Sequence, residues 1–198
     1  PILAGYTNFA EPSAERREKE LVYMKETVNL ARDLDADKVR IFAAGMAELD
    51  ARYTYPQYWE WCKDCLRDSA KMAEQAGVTL GLQNHPPIMH SYRDVLDMIE
   101  EVGSEALKAI IDPPLLSAAG DPIERAVEDS ARVLLHHVHV SDHVLTPGPT
   151  IRTVGGYLHG ETSHIVPMGE GGQGEDLRRW FKAAKSVGYS GWISYEVC

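Results

Sequence analysis

Apolar residues along the chain recur at two spacings that alternate from one end to the other. Short runs with every second or every position apolar occur at Ile2–Thr7, Lys38–Ala43, Val78–Gln83, Leu107–Ile111, Leu134–Asp142 and Trp192–Glu196, and each predicts a strand. Between these runs the spacing lengthens to that of a helix. Leu21, Met24, Val28 and Ala31 line one helical face after Pro12-Ser13, behind an acidic start at Glu11 and Glu15. A second helix, from about Pro56 to Gln75, carries Tyr58, Cys62, Cys65, Leu66, Ser69, Met72, Ala73 and Ala76 on one face and stops at Gly77. Further helices are predicted at Tyr92–Val102, at Pro122–Ser130 with Asp121 as N-cap, and at Leu177–Val187 before Gly188. Residues 143–174, rich in Gly and Pro, show neither period and are read as a long irregular functional loop.

Strands alternating with helices predict an α/β domain with a parallel sheet. The strand ends carry the polar chemistry. In the run from Leu134, His137 and His139 share one face while His136, Val138 and Val140 share the other. The third strand ends in Gln83-Asn84-His85, the fourth in Asp112 and the last in Glu196. Several strands each finishing in a potential ligand suit a parallel barrel with its site at the carboxyl ends. A closed (β/α)8 TIM barrel needs eight strand–helix units and about 250 residues. This chain has 198 residues, begins with Pro1 and both starts and finishes on a strand. The expectation is therefore a single domain over 1–198, an incomplete barrel of about six strands lacking the first two βα units and the last helix. An open six-stranded sheet is the alternative.

Composition narrows the partners. A formal charge of -10 argues against a nucleic-acid or anionic membrane surface, and no apolar run is long enough to span a bilayer. A soluble cytoplasmic protein with a small-molecule partner, as a monomer or homo-oligomer, is expected. The Cys62-x-x-Cys65 pair falls on the core stripe of its helix, so buried thiols are expected there, with no redox or zinc role.

The chain resembles the xylose isomerase-like TIM-barrel superfamily, in particular its sugar phosphate isomerase/epimerase branch. The resemblance rests on Ala31-Arg32-Asp33-Leu34-Asp35-Ala36-Asp37-Lys38-Val39, Gly77 to His85, Ile111-Asp112, Val138-His139-Val140-Ser141-Asp142, Gly169-Glu170-Gly171, and Gly188 to Glu196, in that order. It implies a divalent metal, Mn2+, Mg2+, Co2+ or Zn2+, held by Gln83, Asp112, His139 and Glu196. Gln83 stands where the family usually has Glu, which removes one negative charge and one proton acceptor while keeping a carbonyl oxygen. The implied chemistry is proton transfer next to a metal-polarised carbonyl of a sugar, sugar phosphate or cyclitol, through an enediol-like intermediate. Glu196 and His85 are the expected catalytic groups, Asn84 and Arg152 the expected substrate contacts, and Asp142 and Glu170 the residues expected to support the ligands from behind. Arg40, if it faces inward, needs a carboxylate partner.

Two-base epimerisation would need a substitute for the missing Glu at Gln83. Dehydration of a related polyol, or a non-catalytic sugar-binding barrel with a degraded metal site, are the alternatives. An apurinic endonuclease-like phosphodiesterase is disfavoured, because the position three after Asp112 is Leu115 where a His would be needed; His164 is the one feature in its favour.

Overall fold

The structure, a computed structural model, describes residues 2–45, 49–153 and 156–195, without the side chains of 149–163. The chain runs β1 (Ile2–Ala4), α1 (Ala14–Asp33), β2 (Lys38–Ile41), α2 (Tyr55–Ala76), β3 (Thr79–Gln83), α3 (Tyr92–Val102), β4 (Leu107–Ile110), α4 (Pro113–Ala119), α5 (Ile123–Ser130), β5 (His137–Val140), β6 (Asp142–Thr153), β7 (Gly156–Val166), α6 (Gly174–Ser186) and β8 (Trp192–Tyr195). Helix boundaries follow local chemistry. Ser13 caps α1 by accepting from the Arg16 amide, and Thr54 with Gln57, then Ser91 with Asp94, form capping boxes at α2 and α3. Gly77 and Gly103 end α2 and α3 with φ of 69° and 70°.

Strands β1 to β4 form a parallel sheet in sequence order, and β5 pairs parallel with β8. The two pieces meet where Leu134 bridges Ala109 in parallel, with Leu135 N donating to Ala109 O at 2.8 Å. Among the described residues no ladder joins β8 back to β1, so the barrel expected from the sequence is open. The register aligns Val39 with Leu80 and Ile41 with Leu82, and these four are fully buried. They share one core cluster with the helix residues Met24, Val28, Cys62 and Leu66, so this face of the sheet is the one the helices cover. The opposite face carries Arg40 and Gln83, with Asp112 continuing it past the end of β4. Cys62 and Cys65 are buried free thiols, as the stripe predicted, and burial raises both, the Cys65 thiol to about 11. Among the described residues, no helix is long and apolar enough to cross a membrane.

Two local expectations are overturned, and one further helix appears. Residues 142–153 and 156–166 pair as a long antiparallel β6–β7 ribbon where an irregular loop was predicted; a register shift between Pro147 and Thr150 breaks the alternation that would have marked it. Asp112-Pro113-Pro114 starts helix α4, because proline suits the first helical turn and Asp112 Oδ1 accepts from Leu115 N at 3.5 Å. Asp121 does not cap α5. Its carboxylate instead accepts from Ser91 Oγ at 2.9 Å and Tyr92 N at 3.0 Å, at the start of α3.

Candidate functional site

The carboxyl ends of β2, β3, β4 and β5 surround a cavity of about 460 Å³ whose wall includes Arg40, Gln83, His85, Asp112 and His139. At its floor is a chain of polar side chains. His139 Nε2 lies 3.3 Å from Asp112 Oδ2, and Gln83 Nε2 donates to that same oxygen at 2.8 Å. The other end of the amide, Gln83 Oε1, accepts from Arg40 Nη1 at 3.3 Å. Arg40, Gln83 and Asp112 are all buried, so this line of contacts is held out of bulk water.

Each member is fixed by its strand. Gln83 is the last residue of β3, level with Ile110 of β4. Asp112 is two residues further on, where Asn84 clasps its backbone: Asp112 N donates to Asn84 Oδ1 at 2.7 Å, and Asn84 Nδ2 donates to Asp112 O at 3.4 Å. Asn84, expected to touch substrate, therefore spends its amide on positioning the carboxylate. His139 follows His137 on one face of β5. His137 Nε2 lies 3.2 Å from Ser194 Oγ of β8, its Nδ1 is buried with no partner among the described residues, and burial, with His139 beside it, lowers its pKa.

Gln83 differs from its expected role as an oxygen ligand. Arg40 can only donate, so it takes the carbonyl oxygen and turns the N–H end toward Asp112. In this orientation Gln83 orders Asp112 and offers the cavity no oxygen. Arg40 itself faces inward, as considered from the sequence, yet meets an amide where a carboxylate was expected. Its Cζ also lies 4.6 Å from the centre of the Tyr6 ring and 4.3 Å from that of Phe42.

His85 lines the cavity with its ring 4.5 Å from that of Phe42. Its Nδ1 is 2.6 Å from Pro86 O, and a carbonyl only accepts, so Nδ1 carries the hydrogen and a neutral ring keeps its lone pair on Nε2. Asp142 is fully buried and anchors a loop. Its carboxylate accepts from the amides of His143 at 3.0 Å, Gly169 at 2.8 Å, Gly171 at 3.1 Å and Gln173 at 3.0 Å. A Cβ at residue 171 would collide with that carboxylate and with His143 O, so only glycine lets the loop come this close. Glu170 points outward from this turn and is exposed. Arg152 belongs to β6 but its side chain is outside the described residues, and so is the whole of Glu196.

Ser141, His143, Tyr6 and Phe42 also line the cavity and were not singled out beforehand. Ser141 Oγ is 2.7 Å from His143 Nε2. The period-two face that picked out His137 and His139 continues to Ser141 and was the available signal. His164 is exposed on β7, with Nε2 3.1 Å from Thr146 Oγ1.

A cation fits part of this donor set. Bonds of about 2.1 Å place neighbouring ligand atoms roughly 3.0–3.4 Å apart, and hard oxygen with imidazole nitrogen suits Zn2+ or Mn2+. The Asp112–His139 separation of 3.3 Å matches that spacing. The amide of Gln83 does not join them as it stands.

Comparison with curated proteins gives no match. Solved structures give several. The 3-keto-D-glucoside 4-epimerase of E. coli superposes with a TM-score of 0.78 at 18% identity, over 99% of this chain and 71% of that one. D-psicose 3-epimerase of Clostridium cellulolyticum H10, solved with D-tagatose, gives 0.72 at 19% identity over 96% and 60%. The IolI protein with a bound zinc atom gives 0.77 at 18% identity over 98% and 66%. The chain thus spans between 60% and 71% of the lengths of these three proteins, and at such identity the likeness is one of fold. The family model described as xylose isomerase-like TIM barrel matches residues 1–198 from end to end, and the chain belongs to that family.

Proposed function

We propose that the cavity is the site of a sugar isomerase or epimerase that moves a proton next to a carbonyl and uses a divalent cation. The observation that carries this is the Asp112–His139 pair, a carboxylate and an imidazole 3.3 Å apart at neighbouring strand ends beneath a sugar-sized cavity. Support comes from the similar structures, whose names include a 4-epimerase, a 3-epimerase with a ketose and a protein with zinc. Asp112 and His139, with Glu196, would hold the cation, which supplies Lewis-acid polarisation of the carbonyl. Gln83 steers Asp112 through its amide, and Asn84 fixes the Asp112 backbone. Glu196 is the proposed proton carrier, and the Nε2 lone pair of His85 is the second acceptor facing the cavity.

One observation favours a second reading, a sugar-binding barrel without turnover. With Gln83 turned toward Arg40, the cation has fewer oxygen donors than the resemblance implied. Equilibrium Mn2+ binding decides between them, measured on the chain and on Asp112→Ala and His139→Ala, beside solvent hydrogen exchange on a panel of ketoses and cyclitols. Stoichiometric Mn2+ lost in both variants, with exchange next to the carbonyl, is expected. Binding indifferent to both substitutions would remove the proposed site, and Mn2+ binding without exchange on any sugar would leave the binding-protein reading.

A further inference from the structure

Arg40 is a charged residue inside the protein with no charged partner among the described residues. It is 5% exposed, and among the described residues its one hydrogen bond is to a neutral amide oxygen, Gln83 Oε1 at 3.3 Å. The rings of Tyr6 and Phe42, at 4.6 and 4.3 Å, fix the guanidinium in a corner without satisfying its remaining N–H groups. A guanidinium withdrawn from water is costly unless it is paired and hydrogen-bonded, and its fork of donors matches an oxyanion with two oxygens. Arg40 lines the 460 Å³ cavity and also a second one of about 240 Å³ on the side of Ala4, His137 and Ser194. Its unused edge therefore has room for a ligand.

We propose that Arg40 binds the acid group of the substrate, and that the cavity takes sugar acids in preference to neutral sugars. This rests on the reading of the cavity as a sugar site. Carboxylate and phosphate ester share the chemistry Arg40 recognises, and charge balance favours the carboxylate. One guanidinium neutralises one negative charge. A phosphate monoester brings nearly two, and the amide of Gln83, the one hydrogen-bond partner of Arg40 among the described residues, brings no positive charge to meet the second. The acid end of the ligand would sit by Tyr6 and Phe42, leaving its polyol end toward His85 and the Asp112–His139 pair.

The test is equilibrium binding of D-glucuronate, D-gluconate, D-glucose 6-phosphate and D-glucose by titration calorimetry. The chain is compared with Arg40→Met, which keeps the length and removes the charge, and with Arg40→Lys, which keeps the charge without the fork. At least one of the two carboxylates is expected to bind about tenfold tighter than glucose. Arg40→Met should abolish that preference, and Arg40→Lys should restore part of it. Equal binding of glucose and both carboxylates to the unaltered chain overturns the proposal, and needs no variant to fold. So does a preference that survives in Arg40→Met. Tighter binding of glucose 6-phosphate than of either carboxylate would overturn the charge-balance argument and the assignment to sugar acids. Hydrogen exchange is read separately: its absence with the binding preference intact would remove the isomerase reading alone.

Discussion

At the scale of single residues, Asp142 shows how one buried carboxylate sets the position of a loop it is far from in sequence. Burial by itself would raise its pKa, but the amides of Gln173, Gly169, Gly171 and His143 outweigh that and hold it below the usual carboxylate range. A depressed pKa stabilises the folded chain above the ordinary value near 3.9, and that stabilisation is lost as pH falls through the folded value. Replacing Asp142 by Asn weakens four charge-assisted hydrogen bonds and should cost about 3 kcal/mol at neutral pH. The gap in thermal midpoint between the two proteins should stay level down to about pH 4 and narrow below it. A gap unchanged at about pH 3 would mean that charge is not what holds the turn. The residues at the strand ends were legible because position does most of the work: a polar residue that closes an apolar run faces the mouth of the sheet, as Gln83, Asp112 and His139 do. The way the Gln83 amide points was not legible. It depends on Arg40 of the neighbouring strand, which lies level with Gly81, two residues below Gln83.

At the scale of elements, each parallel strand and the helix behind it was readable, since strands covered by helices read as apolar runs and helices show their buried stripe. Proline hid the rest. It marks a stop to a pattern reader, yet at Pro113-Pro114 it starts a helix, and at Pro147 it interrupts an antiparallel ribbon that continues on both sides. The contact between β5 and β8 was also beyond a local reading, although it depends on a single small residue. Gly191 passes so close to His136 that a Cβ there would run into the backbone carbonyl, its oxygen and its Cα. Trp192 N donates to that carbonyl at 3.2 Å, at the start of the β5–β8 register. Gly191→Ala should therefore push β8 away from β5 and destabilise the chain by about 2–3 kcal/mol, read as a lower urea midpoint. An unchanged midpoint would show that β8 can shift without cost and that it does not hold the histidine strand in place.

At the scale of the whole molecule, the sheet is built from two pieces, and the proposed cation lies across their seam. Asp112 belongs to the β1–β4 piece and His139 to the β5–β8 piece, and the described strands join through the short contact of Ala109 with Val133 and Leu135. A ligand that binds only the folded chain stabilises it by mass action, about 2.7 kcal/mol at a hundred times its dissociation constant. For a chain of this size that corresponds to a rise in thermal midpoint of roughly 5–10 °C. Mn2+ should give a rise of this order, and His139→Ala should remove it although Asp112 is untouched, because the ion would then hold one piece only. A comparable rise in His139→Ala would place the ion within the β1–β4 piece. No rise in the unaltered chain at saturating Mn2+ would mean that the 3.3 Å Asp112–His139 contact belongs to the fold itself and not to a cation site.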